Sequence, residues 1–217
     1  MKNNHRLGYR RVREILAAVE KCGVLDAEQI EFLIYRGIKS GKRQAQRKLK
    51  KLYEDKRLKR DRPLIDEPYH YYINKMSQVS HRLAVNWIYL YMQASLKNWE
   101  QLHSFEYEQD FKVLRSDALA SVLNKVTNKY LFYFIEADLA TNPFHKVRLY
   151  NDLYASDKYA GAWWVRLADR FPVILIGTTT KARKENIEQT VERDNIHGLE
   201  FRVYTLDYLK GVCKGAF

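Results

Sequence analysis

The sequence predicts an α/β (α+β) chain in two parts: a basic helical module closed by a hairpin, then a mixed β-sheet domain with flanking helices. Three observations predict it. Between Arg36 and Arg62 there are 13 Lys or Arg residues in 27 positions, with Ala45, Leu49 and Leu52 threaded through them at helical spacing. The charge is uneven: residues 1–80 hold 20 Lys/Arg against 10 Asp/Glu, and residues 81–217 hold 18 against 16. Finally, Tyr130–Ile135 and Pro172–Ile176 are apolar at nearly every position, as in strands buried on both faces. The domain boundary is placed in the polar stretch Asn74–Ser80, giving domains 1–76 and 77–217.

In the first domain, Val12, Ile15, Leu16 and Val19 make a stripe on a helix over Arg10–Lys21, which Gly23 ends. Asp26 is the expected N-cap of a second helix with Ala27, Ile30, Leu33 and Ile34 facing inward. Arg36–Gly41 turns into a basic helix over Lys42–Asp55, with Lys42, Arg43, Arg47, Lys50 and Lys51 off the apolar seam. Leu58–Arg60 and His70–Asn74 pair as a hairpin around Pro63 and Pro68. Three helices followed by a hairpin is the order of a winged helix-turn-helix, whose second motif helix enters the major groove. Arg43, Gln44 and Arg47 are then the base or phosphate contacts, with Lys42, Lys50 and Lys51 beside them. Arg57, Lys59, Arg60 and Arg62 decorate the wing, and each neutralised phosphate adds about −0.9 to the salt slope.

The second domain opens with a long helix over His81–Leu96, marked by Leu83, Trp87, Leu90, Tyr91 and Ala94. Strands follow at Leu102–Tyr107, Ala118–Leu123 and Tyr130–Ile135. A helix over Phe144–Tyr154, a strand at Pro172–Ile176, a charged helix over Lys181–Arg193 and a strand at Glu200–Tyr204 complete the order. That alternation implies a mixed sheet with helices on its faces.

Composition excludes several classes. Cys22 and Cys213 have no C-x-x-C spacing, which fits a reducing cytoplasm rather than a disulfide framework or cysteine-rich zinc site. No apolar run approaches the ~18 residues of a membrane span, and Met1–Val12 has no apolar leader core. The chain is therefore expected to be cytoplasmic and to have no membrane partner. The six histidines form neither a His-x-His pair nor a zinc-protease motif, and there is no phosphate-binding Gly-x-x-x-x-Gly-Lys-Ser/Thr loop. The 16 tyrosines and the pair Trp163-Trp164 are read as packing residues, the tryptophans between helix and sheet. Thr178–Thr180 is read as a helix N-cap.

The chemistry-bearing constellation is Asp117, Glu136, Asp138 and Lys146. Glu136 and Asp138 close a buried strand at i and i+2, so both carboxylates share a face, and Asp117 begins the neighbouring strand. Converging carboxylates suit a hard cation, Mg²⁺ or Mn²⁺, which activates water for phosphodiester cleavage. Lys146, one turn into the next helix, would orient that water or offset negative charge. The alternative is that these acids finish a strand at the surface and pair with Lys146 and Arg148.

The order of elements and these acids resemble the restriction-endonuclease-like nuclease core, which places an Asp on its second strand and Glu-x-Lys on its third. Here Arg115-Ser116-Asp117 stands for the Pro-Asp segment and Glu136-Ala137-Asp138 for Glu-x-Lys. The Lys is absent from its usual place, and Lys146 is its candidate migrated equivalent. Over roughly residues 10–210 the chain is similar to the replication-relaxation family of plasmids, integrative elements and phages in Gram-positive bacteria. The resemblance is carried by Arg43–Leu49 with Leu52 and Leu58, by Arg115–Ala118, and by Tyr133–Asp138 with Thr141, Lys146 and Tyr150. Ser116 replaces the family's usual Pro.

The resemblance implies a DNA-binding protein of a mobile genetic element, acting in plasmid replication or in the DNA processing of transfer and conjugation. Its expected partners are double-stranded DNA, replication or transfer proteins of the same element, and a second copy of the chain in a homodimer. One alternative is a Mg²⁺- or Mn²⁺-dependent endonuclease or nickase. In that enzyme Asp117, Glu136 and Asp138 are metal ligands and, with Lys146, catalytic residues. A third is a transcriptional repressor of a mobile element, dimerising through its second domain.

Overall fold

The structure is a computed structural model that describes residues 2–215, with side chains from residue 8. The chain divides into two compact units, one running to Asn86 and the other starting at Trp87.

The first unit contains α1 (Lys2–Cys22), β1 (Val24–Leu25), α2 (Ala27–Tyr35), α3 (Gly41–Glu54), β2 (Lys59–Asp61) and β3 (His70–Tyr72). Its sheet is antiparallel in the order β1-β3-β2. The expected helices and hairpin are present, and β1 is an addition: two residues between Gly23 and the Asp26 cap, too short to carry a period. Gly23 turns the chain at φ +79°, a conformation costly for residues with a Cβ. Asp26 caps α2 through a capping box, accepting from Gln29 N at 2.8 Å while Gln29 Oε1 accepts from Asp26 N. Gln29 is buried, and its amide donates to Leu83 O at 2.9 Å. At Gly41 a Cβ would stand 2.8 Å from Tyr35 O, so only glycine allows α3 to start this close to α2. Ala45, Leu49 and Leu52 are at most 1% exposed, so the apolar seam of the basic helix is core.

Helix α4 (Val79–Ser95) begins in the first unit and ends in the second. The second unit continues with β4 (Glu100–Asp110), β5 (Arg115–Asn124), β6 (Lys129–Asp138), α5 (Lys146–Ala155), a 3-10 helix (Trp163–Leu167), β7 (Val173–Thr178), α6 (Lys181–Asp194), β8 (Phe201–Thr205) and α7 (Leu206–Gly215). Its five strands lie in sequence order, β4-β5-β6 antiparallel and β6-β7-β8 parallel, so the sheet is mixed as expected. One core gathers Phe132, Phe134, Tyr150, Leu153, Ile174 and Ile176 with Trp164 and Ile187. At Gly177 a Cβ would meet Ile88 at 2.9 Å and Leu209 at 3.3 Å.

Two expectations need correction. Trp164 is buried, but Trp163 is 44% exposed, because neighbouring residues of a 3-10 helix point about 120° apart. Helix α7 extends the expected order by one element; Leu206, Leu209 and Cys213 follow a helical period, but Gly211 interrupts it.

Candidate functional site

The acidic site grows from the C-terminal end of β6. In the antiparallel pair, Ala118 faces Ile135, which brings Asp117 beside the next β6 positions. Asp117 Oδ2 accepts from Ala137 N at 2.7 Å. Glu136 is 2% exposed. Helix α5 supplies its partners from positions one turn apart: Tyr150 donates to Oε1 at 2.6 Å, and Lys146 Nζ lies 3.0 Å from Oε2. Lys146 also donates to Arg115 O at 2.5 Å, which fixes the ammonium between β5 and β6. Ser116 is buried, its hydroxyl between the carbonyls of Ala118 (2.9 Å) and Ile135 (3.1 Å).

Burial pushes the Glu136 carboxyl up, and the nearby Asp117 charge adds to this. Lys146 and the Tyr150 hydrogen bond oppose both, leaving Glu136 raised to about 8. The Tyr150 phenol is itself raised, by burial first and by Glu136 second. Near neutral pH this is a carboxyl group able to hold or release a proton at Oε1 or Oε2.

Asp138 has different partners. Parallel register sets it against Thr178 of β7. Thr178 Oγ1 donates to Oδ2 at 2.8 Å, and Arg183 grips the carboxylate side-on, Nε to Oδ2 at 2.8 Å and Nη2 to Oδ1 at 2.9 Å. Burial raises the Asp138 carboxyl, but the Arg183 and Thr178 hydrogen bonds with the Arg183 charge outweigh it and hold the group below the usual carboxylate range. Thr180 caps α6, accepting from Arg183 N at 3.1 Å, and so sets the helix turn from which Arg183 reaches back.

Asp117, Glu136 and Lys146 thus gather at one point, while Asp138 is neutralised by Arg183. Of the two partners named in the alternative reading, Lys146 pairs with Glu136, and Arg148 makes no ion pair with these acids among the described residues. As arranged, both oxygens of Asp138 are taken by Thr178 and Arg183, and Glu136 is enclosed by Tyr150 and Lys146. Among the described residues no group of three or more His, Cys, Asp or Glu side chains could hold a metal ion. Sequence reasoning missed Arg183 and Thr178 and did not assign Tyr150 a partner. Tyr150 was within reach, since it follows Lys146 by four on one helix face. Nothing local marks Arg183 as the partner of an acid 45 positions earlier.

The second surface lies on α3. Arg43, Arg47, Lys50 and Lys51 are exposed, and Arg43, Arg47 and Lys51 make no salt bridge among the described residues. Lys50 reaches Glu54 at 3.8 Å. Lys42 is tied to Glu28 at 2.8 Å. Gln44 is half-buried, accepting from Arg11 at 2.9 Å and donating to Ser40 Oγ at 2.9 Å. On the hairpin, Arg57, Lys59 and Arg62 are exposed, while Arg60 is sandwiched between Tyr53 and Tyr69, 4.1 Å from each ring centre.

Together these features define a two-unit α+β protein with a cationic helical unit and a mixed-sheet unit that holds a buried carboxyl cluster. Residues 73–164 match the family model described as replication-relaxation; the match takes in Arg115–Ala118 and Tyr133–Asp138 with Thr141, Lys146 and Tyr150, while Arg43–Leu49, Leu52 and Leu58 lie outside it. The matched segment contains Asp117, Glu136, Asp138 and Lys146 and ends before Thr178 and Arg183. No curated protein and no solved structure matches the chain. No helix among the described residues is long and apolar enough to cross a membrane.

Proposed function

We propose that this chain is a DNA-binding protein of a mobile genetic element, serving plasmid replication or transfer-linked DNA processing. The observation that carries the reading is α3: its apolar seam is fully buried while Arg43, Arg47 and Lys51 stand exposed without ion partners. Like charges held together on a rigid helix repel one another, and a polyanion relieves that repulsion. The element order α1-β1-α2-α3-β2-β3, with a β1-β3-β2 sheet, supports reading the first unit as a winged helix-turn-helix. On this reading α3 lies in the major groove, and Arg57, Lys59 and Arg62 reach the flanking backbone of double-stranded DNA. Lys42, Gln44 and Arg60, already engaged within the protein, position their neighbours. The test is duplex binding by the full chain across a salt series. Reversing charge at Arg43 and Arg47 should weaken affinity several-fold and lower the salt slope by about 0.9 for each phosphate that is no longer neutralised. Unchanged affinity and slope would remove α3 as the reading helix.

A second reading, a metal-dependent endonuclease or nickase, is favoured by one observation: Asp117 stands close enough to Glu136 to raise its carboxyl, with Lys146 on the same group. The test is nicking of supercoiled plasmid with Mg²⁺ or Mn²⁺. The expected result on this reading is metal-dependent nicking that Asp117→Ala and Glu136→Ala abolish. Binding without nicking would favour the accessory-factor reading, in which the second unit contacts replication or transfer proteins or a second copy of the chain.

A further inference from the structure

The second unit contains a cavity of about 730 Å³ between α6 and the stretch 140–148, which is the loop after β6 and the start of α5. Arg148, Arg183 and Arg193 line it, opposed among the lining residues by a single carboxylate, Asp194. The neutral lining residues include Asn142, Asn186 and Thr190, all able to hydrogen-bond.

The three guanidinium groups differ in how they are held. Arg183 is nearly enclosed, its side chain 17% exposed. It uses Nε and Nη2 on Asp138 and Nη2 on Asn142 O, which leaves Nη1 with no partner on a residue that lines the cavity. Arg148 is exposed and makes no hydrogen bond or salt bridge among the described residues. Arg193 is tied only to its neighbour Asp194, a solvent-exposed pair that is readily exchanged for another anion. A fixed guanidinium with a free edge, flanked by two exposed ones, is an arrangement that recognises phosphate oxygens. The volume is within the roughly 300–1,000 Å³ typical of small-molecule and cofactor sites.

From this geometry we infer that the cleft binds the phosphodiester backbone of nucleic acid, as a second contact separate from α3. The inference rests on the DNA-binding reading above and extends it to the second unit. Arg183 couples the two sites in that unit: the guanidinium that lines the cleft also fixes Asp138.

The experiment uses the full chain with fluorescent oligonucleotides carrying 4-thiothymidine, one single-stranded and one duplex. Anisotropy gives affinity, and photocrosslinked peptides are mapped. Expected are crosslinks within residues 141–148 or 186–194. Charge reversal at Arg148 and Arg193 should remove them and weaken binding of at least one oligonucleotide by about ten-fold. The oligonucleotide affected identifies whether the phosphodiester comes from single or double strands. A Lys112→Glu/Lys125→Glu control has the same change in net charge and should keep the cleft crosslinks. Cleft crosslinks should also persist in Arg43→Glu/Arg47→Glu. Absence of cleft crosslinks in the wild type, or equal losses in the cleft variant and the lysine control, would overturn the inference. Failure of the α3 reading is seen separately, as unaltered duplex affinity in the Arg43/Arg47 variant.

Discussion

Tyr150 directs its phenol at the Glu136 carboxyl, 2.6 Å from Oε1, and both side chains are shut away from water inside the sheet face. A donor in such a place matters twice, because it satisfies one buried group and keeps its own hydroxyl from being orphaned. Tyr150→Phe should therefore destabilise the fold by about 1–3 kcal/mol in chemical denaturation. The same change removes a hydrogen bond that lowers the Glu136 carboxyl, so its titration should move further up. A carboxyl resonance followed across pH would detect this, and an unmoved titration would mean that Tyr150 does not bond the ionised form.

Glu136 links stability to pH in a defined direction. Its folded value is about 8 against an ordinary 4.5, so between these values the folded chain holds a proton that the unfolded chain has lost. Its contribution is fully present below about pH 4.5 and declines as pH rises through 8, at up to ~1.4 kcal/mol per pH unit. Glu136→Gln keeps the neutral shape without the proton to lose. Relative to wild type it should gain stability from pH 6 to pH 9, measured by urea midpoints; a parallel pH dependence in the two proteins would place the titration elsewhere.

The Asp138–Arg183 pair has the opposite sign. Asp138 is held below its ordinary value, so its contribution is present above about pH 4 and fades as pH falls through the lowered value. With side chains 11% and 17% exposed, neither partner is well solvated alone. Arg183→Met should cost about 2–4 kcal/mol, and Asp138→Asn/Arg183→Met should cost less than the sum of the single changes. Thermal melts of all four proteins test this; strict additivity would show that the pair is not coupled.

Gly177 gives a packing prediction. A methyl group there lies 2.9 Å from Ile88 Cδ1 and 3.0 Å from its Cγ1. Gly177→Ala should destabilise by about 1–2 kcal/mol through overpacking. Adding Ile88→Val removes the clashing Cδ1 and should recover part of the loss. Failure of that rescue would shift the cause to Leu209, 3.3 Å away.

Much of this arrangement was legible from residue patterns, for physical reasons that differ by region. The α3 stripe has the helical period and the β6 and β7 runs are continuously apolar, so burial dictated their residues, and they sit where those patterns place them. Asp26 and Thr180 announced their helices because capping is a local bond across three residues. The carboxyl site was half legible. Asp117, Glu136 and Lys146 follow from strand and helix spacing, whereas Arg183 reaches Asp138 only through the β6–β7 register, which no local pattern encodes. The wing arginines were legible as charge but not as individuals: the ring sandwich around Arg60 depends on Tyr53, at the end of α3, and Tyr69, just before β3, both reaching it.

The partners of Asp138 are encoded 40 and 45 positions after it. As a chain is made from its N-terminus, β4, β5 and β6 can zip together while Thr178 and Arg183 still await translation. During that interval the end of β6 carries a bare negative charge. Completion of the parallel half of the sheet then acts as a latch, so the ribosome must deliver α6 before this edge of the protein reaches its finished state.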